Sequence, residues 1–388
     1  MSERYRFAEH EEALHERASQ AEGLTDFGEP DYLEGMRVFL RALDNDDKLH
    51  EGGSRAVRNQ ILHALRQRLR TEQAWKDNPQ VLDIEIRRPI FITGCVRTGS
   101  TALHYLMGRD PGIQKLEWWL AASPQPRPPR PTWEAHPDFQ AAQAEMDAMF
   151  EADPSIKTMH FTTAAGPEEC RHFLYQCFTD DAFEVSTSVP EYEEWYHSTR
   201  HEHTYRRHRK LVQLVGSTDL ERRWLLKYPV HLRQLDVLLA VYPDACIVHT
   251  HRDPRDVIPS YCNMTATYRG LMENDIDRAD IARTQMRGWS QAANRSVEIR
   301  ARHDEAQFFD LHFEDYVADP VGSVKRIYEH FDQPLSDEGE QALVQWNRDN
   351  PQGKHGKHEY SARGTGLEER EIIEAFGPYM EHFGMLGG

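Results

Sequence analysis

The residues best suited to chemistry lie in one short run, Gly94-Cys95-Val96-Arg97-Thr98-Gly99-Ser100-Thr101. Glycines at its two ends let backbone N–H groups approach an anion closely, and Thr98, Ser100 and Thr101 add hydroxyl donors. The spacing follows the nucleotide triphosphatase loop G-x-x-x-x-G-K-S/T, but no lysine separates Gly99 from Ser100. Arg97, two residues before Gly99, is the only cation in the loop. In nucleotide triphosphatases the lysine contacts the β- and γ-phosphates, and a metal held by Ser/Thr and a downstream Asp bridges them. Here the lysine is missing, and no apolar strand ends in a convincing metal-binding Asp. Such a loop suits a ligand without a γ-phosphate, on which an arginine stabilises charge at a bridging oxygen.

A second set of cations and hydroxyls sits in "WLLKYPVHLRQLDVLLAVYPDACIVHTHRDPRDVIPSYCNM", residues 224–264. Arg252 is a planar fork, and Ser260 a hydroxyl near an expected helix start; together they suit a further phosphate. Lys227 closes an apolar run at the same strand-end rim, where it can stabilise charge on the group being transferred or pair with a carboxylate. Asp253, Arg255 and Asp256 are expected to order the turn. His249 and His251 alternate with strand residues, and at least one should be structural.

Elements that position these groups are legible around them. Pro89–Thr93 is a short β-rich run, Ala102–Met107 a helix, Trp224–Lys227 a strand and Ala245–Thr250 another. Leu232, Leu235, Leu238 and Leu239 mark a helix face that Pro243-Asp244 stops. The order strand, helix, strand, turn, helix predicts right-handed βαβ units, with ligands at the carboxyl ends of parallel strands. Residues 1–85 carry Leu40, Leu43, Leu62, Leu65 and Leu69 at helical spacing, which predicts a helical N-terminal arm for packing or homo-oligomerisation. Residues 124–137 hold six prolines and are expected to form an extended loop. Residues 114–213 form an otherwise helical insert whose Trp118, Trp119, Tyr192, Trp195, Tyr196 and Tyr205 are expected to cover an acceptor.

Composition narrows the class. The chain has 388 residues and a net charge of 46 − 64 = −18, which argues against nucleic-acid binding. Its five cysteines form no CxxC pair, which predicts reduced thiols and no zinc site. No apolar run is long enough to span a bilayer, and the first residues are charged, so a cytoplasmic protein is expected.

"PIFITGCVRTGSTAL" resembles the 5′-phosphosulfate loop of sulfotransferases that use 3′-phosphoadenosine 5′-phosphosulfate (PAPS), and "VHTHRDPRDVIPSY" is similar to their 3′-phosphate motif. "FEDYVADPVGSVKRIYEHF", 313–331, resembles the segment that follows in bacterial members, and "PQGKHGKHEYS", 351–361, their C-terminal basic loop. The likeness implies an α/β, P-loop-like three-layer fold over residues 86–388, with a central parallel sheet. It implies a PAPS-dependent transferase that moves a sulfuryl group to a hydroxyl, or less readily an amine, of a small-molecule, lipid or carbohydrate acceptor, without a metal. Gly94, Arg97, Thr98, Gly99, Ser100 and Thr101 would cradle the 5′-phosphosulfate; Arg252 and Ser260 would hold the 3′-phosphate. Lys354, His355 and Gly356 would close over it.

The reaction needs a general base, for which histidine suits neutral pH. His231, just beyond Lys227, is the first candidate. His160 is the second, beside Glu168 and Glu169, which could themselves act as base. Two other readings are a Mg²⁺-dependent P-loop kinase-like phosphotransferase and a non-catalytic binder of adenosine 3′,5′-bisphosphate.

Overall fold

A computed structural model describes residues 4–152, 162–351 and 366–386. Its centre is a five-stranded, wholly parallel sheet in the order β2-β3-β1-β4-β5. The strands are β1 (Ile90–Gly94), β2 (Ile113–Lys115), β3 (Arg223–Lys227), β4 (Cys246–His251) and β5 (Phe308–His312). Three of them match the strands expected from sequence. The short edge strand β2 and the outer strand β5 were not expected, because neither has a long apolar run.

The two faces of the sheet feed two separate cores, as the alternation of side chains along a strand requires. Ile90 and Ile92 of β1, with Leu225, Val248 and Leu311, pack against Leu103, Leu106 and Met107 of the helix Ser100–Met107 and against Val324 and Ile327 of the helix Pro320–His330. Phe91, Leu226 and Ile247 point the other way, into a larger core with Tyr242, Trp289 and Tyr379. Helices therefore cover both faces, the three-layer arrangement expected for buried parallel strands.

The helices of residues 1–85 do not stand apart as an arm. Leu40 and Leu43 of the helix Leu33–Asn45, and Leu65 and Leu69 of the helix Glu51–Asp77, are buried in the same larger core. Phe39 meets Phe183 of the insert at a ring separation of 4.5 Å. Their apolar stripes are thus spent inside the chain, each such side chain contributing about 1.5–3 kcal/mol by burial. The proline-rich loop is extended except for the 3₁₀ turn Arg130–Ala135.

Candidate active site

β1 lies between β3 and β4, so the chain leaves the middle of the sheet at Gly94 with strand ends on both sides. Gly94 has φ +146°, and a Cβ there would stand 2.3 Å from the Thr250 carbonyl oxygen of β4. Only glycine lets the two backbones approach this closely. Arg97 (φ +62°) and Gly99 (φ +83°) are both left-handed and turn the loop into the helix Ser100–Met107. Left-handed residues spaced in this way make a concave nest of backbone N–H groups, and the helix N-terminus adds its positive end.

The hydroxyls of the loop divide into two groups. Thr98 is buried, donates to the Cys95 carbonyl at 2.8 Å and shares a hydrogen bond of 2.7 Å with Thr250 Oγ1, so it braces the loop from behind. Thr101 instead accepts from Lys227 Nζ at 2.9 Å. Lys227, at the end of β3 and 1% exposed, also forms an ion pair with Glu169. The Cys170 N–H donates to the Lys227 carbonyl at 3.0 Å, which fixes the insert against the sheet rim beside this pair.

The second motif converges on the same loop. Arg97 Nε donates to Ser260 Oγ at 3.3 Å, and the Arg252 guanidinium reaches the Arg97 carbonyl at 3.4 Å. Arg252 also lies 4.4 Å from the centre of the Phe313 ring, and its buried Nε has no hydrogen-bond partner among the described residues. Phe313 is 3.1 Å from where a Gly99 Cβ would be, so one ring supports both the loop and the arginine. Pro254–Gly270 is a helix capped by Asp253, whose carboxylate accepts from the Arg255 N–H at 2.8 Å. Asp253 and Arg255 thus order the turn, as expected.

His231 departs from its expected place. The residues after Lys227 turn inward as the 3₁₀ segment Pro229–Gln234, and His231 is fully buried beneath the rim. Its Nδ1 is 2.9 Å from the Tyr205 hydroxyl, and Phe91, Tyr228 and His208 enclose the ring. Burial, with His208 beside it, holds its pKa well below the usual histidine value. An acceptor could not meet this ring without displacing core side chains, so the geometry corrects the expectation of a base at His231. His249 and His251 are both buried, and His251 bridges the Tyr379 hydroxyl and Asp310 at 2.8 Å each. His160, Lys354, His355 and Gly356 lie outside the described residues.

Sequence reasoning missed two supports of the site. One is Phe313, whose role shows only when β5 brings it beneath Gly99. The other is the pair Asp180 and Asp181, which accept from the Tyr228 hydroxyl at 3.0 and 2.7 Å directly behind Lys227. Burial raises the pKa of both carboxyls.

With this geometry established, comparison with known proteins identifies the class. Residues 89–337 match the model of the sulfotransferase family, and the chain belongs to that family, which is one of transferases. The sulfotransferase STF1 from Mycobacterium tuberculosis H37Rv superposes with a TM-score of 0.88 at 38% identity, over 96% of this chain and 99% of that one. STF9 from Mycobacterium avium superposes with a TM-score of 0.89 at 26% identity, over 96% of each chain. The omega-hydroxy-beta-dihydromenaquinone-9 sulfotransferase Stf3 of Mycobacterium tuberculosis (strain CDC 1551 / Oshkosh) is 28% identical over 253 residues, which span 62% of each protein. Among the described residues no helix is long and apolar enough to cross a membrane.

Proposed function

We propose that the protein is a PAPS-dependent sulfotransferase that moves a sulfuryl group in line to the hydroxyl of an apolar or amphipathic acceptor. The observation that carries this reading is the convergence of Arg97, Arg252 and Ser260 on one loop, with Lys227 and Thr101 on its other flank. Two anionic groups can be held at once: one in the nest of residues 94–101, the other at Arg252, whose Nε has no partner among the described residues and can donate. Stf3 is named for an omega-hydroxy-beta-dihydromenaquinone-9 acceptor. The insert's aromatics do not all face an acceptor as the sequence suggested: Trp119, Tyr192, Tyr196 and Tyr205 are buried in the larger core, and Trp118 and Trp195 are only partly buried against it.

The chain's own groups can then divide the work. Arg97 and Lys227 are cations on either side of the position where charge develops on the bridging oxygen, and a fixed cation there needs no reorganisation during the reaction. Glu169 is the proposed base. Its carboxylate stands beside Lys227 with a side chain 21% exposed, so an acceptor can meet it, whereas His231 is enclosed. As the acceptor oxygen bonds to sulfur, its proton passes to Glu169. The bond from sulfur to the phosphate oxygen breaks and leaves adenosine 3′,5′-bisphosphate. Incubation with labelled PAPS and a panel of apolar alcohols tests the reading. Label should enter an alcohol in the absence of Mg²⁺; PAPS binding without transfer to any hydroxyl or amine would refute it.

A further inference from the structure

Beneath the rim, the larger core holds a group of donors that packing alone does not account for. Cys170, His208 and His231 come from three separate segments, all fully buried, and a ligand atom from each lies within 4.8 Å of the other two. His208 Nδ1 is 2.8 Å from the Tyr242 hydroxyl and His231 Nδ1 is 2.9 Å from the Tyr205 hydroxyl. The Nε2 atom of each ring is buried without a hydrogen-bond partner among the described residues. A buried nitrogen left unmade is costly, and two in adjacent rings, whose centres are 5.7 Å apart, point to a shared occupant. Each imidazole has one nitrogen oriented by a hydroxyl and the other free to bind, which is how metal-ligating histidines are usually held.

We propose that Cys170, His208 and His231 form a binding site for one monovalent copper ion. Sulfur and imidazole ligands select soft cations. One thiolate, two neutral imidazoles and Cu⁺ sum to zero charge, which a fully buried site tolerates. Zn²⁺ would leave one positive charge uncompensated and would want a fourth ligand. Among the described residues no further His, Cys, Asp or Glu joins the group. Binding forms a Cu–S bond, and the Cys170 thiol proton leaves to solvent; no electron changes hands.

The location gives the site a structural consequence. Cys170 follows Glu169 and donates its N–H to the Lys227 carbonyl, while His231 lies one turn beyond Lys227. The ion therefore ties the segment that carries Glu169 to the segment that carries Lys227.

The test uses the full-length protein, purified under reductant and loaded with Cu⁺ in competition with bicinchoninate. Metal content, copper K-edge absorption and thermal unfolding are then measured. The expected result is about one copper per chain, with one sulfur and two nitrogen neighbours, and a raised melting temperature. Cys170→Ala and His208→Gln should each lose the copper and the shift while still showing a cooperative melt. The Ala variant also controls for the other four cysteines, all buried thiols. Failure of the folded wild type to retain copper would overturn the site and leave a buried water as the shared occupant. So would equal retention by Cys170→Ala, or retention of Zn²⁺ in preference to Cu⁺.

Discussion

Glu169→Gln exchanges one oxygen for an NH₂ group and so separates charge from shape at the proposed base. In the wild type the carboxylate pairs with Lys227, which is 1% exposed and also donates to Thr101 at 2.9 Å. The amide can still accept from the ammonium, so the pair becomes a neutral-to-charged hydrogen bond. A hydrogen bond to a charged partner contributes about 1.5–3 kcal/mol and an ordinary one about 0.5–1.5 kcal/mol, so the exchange alone costs about 1 kcal/mol. The buried cation loses its counter-charge, which costs about 3–5 kcal/mol for a fully enclosed pair. Glu169 is one-fifth exposed, and solvent screening reduces that figure. The total expected in urea unfolding is about 1–3 kcal/mol, leaving a folded protein. Turnover at saturating PAPS should fall about 10²–10⁴-fold, the usual size of a general-base contribution. Affinity for adenosine 3′,5′-bisphosphate should stay within about twofold, a difference of ~0.4 kcal/mol, because the amide leaves the Arg252 side untouched. Full turnover by a folded Glu169→Gln enzyme would refute the base. Nearly full activity of His231→Ala is the companion expectation, and a dead but folded His231→Ala would return the role to that ring.

Three further expectations follow from the geometry. Arg97→Ala should lower turnover about 10²–10³-fold with the donor saturating, and unchanged turnover would make Arg97 a positioning residue only. Gly94→Ala should fail to fold or lose several kcal/mol in chemical denaturation, since its Cβ would meet the Thr250 oxygen at 2.3 Å in a backbone conformation unfavourable to alanine. Burial pushes His63, His201 and His251 down to about 4 and His208 to about 3. Their folded pKa values lie below the unfolded value of about 6.5, so the unfolded chain binds more protons. The contribution of each such histidine is therefore full above about pH 6.5 and is lost towards pH 4, by about 1.4 kcal/mol per pH unit. The raised carboxyls of Asp180 and Asp181 act in the opposite sense and offset part of it. Denaturation midpoints measured from pH 7.5 to 5 should drop, and a rise over that range would contradict the burial of His201, His208 and His251.

The parts of the site that could be read from sequence are those whose neighbours in space are also neighbours in the chain. Gly94 to Thr101 is one turn between a strand and a helix, so residue types and spacing suffice to specify it. Arg252, just before the helix Pro254–Gly270, and Ser260, two turns into it, are close in the chain and were legible for the same reason. His231 misled because nearness to Lys227 in sequence suggested the rim, while Pro229 starts a 3₁₀ segment that turns into the core. Glu168 and Glu169 were legible as carboxylates that could act as base. The pairing of Glu169 with Lys227, Phe313 under Gly99, and the group Cys170, His208 and His231 depend on contacts between distant segments, for which no local pattern exists. The helices before residue 86 showed their periodicity but not their partner. An apolar stripe looks the same whether Phe183 of the same chain or a second copy covers it.

The most direct test of the central claim is calorimetric titration of the protein with adenosine 3′,5′-bisphosphate, AMP and ATP, each with and without Mg²⁺. Arg252→Ala serves as the paired variant. The 3′-phosphate should confer the tightest binding, independent of Mg²⁺, and at ~100 times its dissociation constant it should stabilise the fold by about 2.7 kcal/mol. Arg252→Ala should remove about 2–4 kcal/mol of that affinity and leave AMP binding nearly unchanged. Equal affinity for AMP, or tighter binding of ATP only when Mg²⁺ is present, would contradict the account.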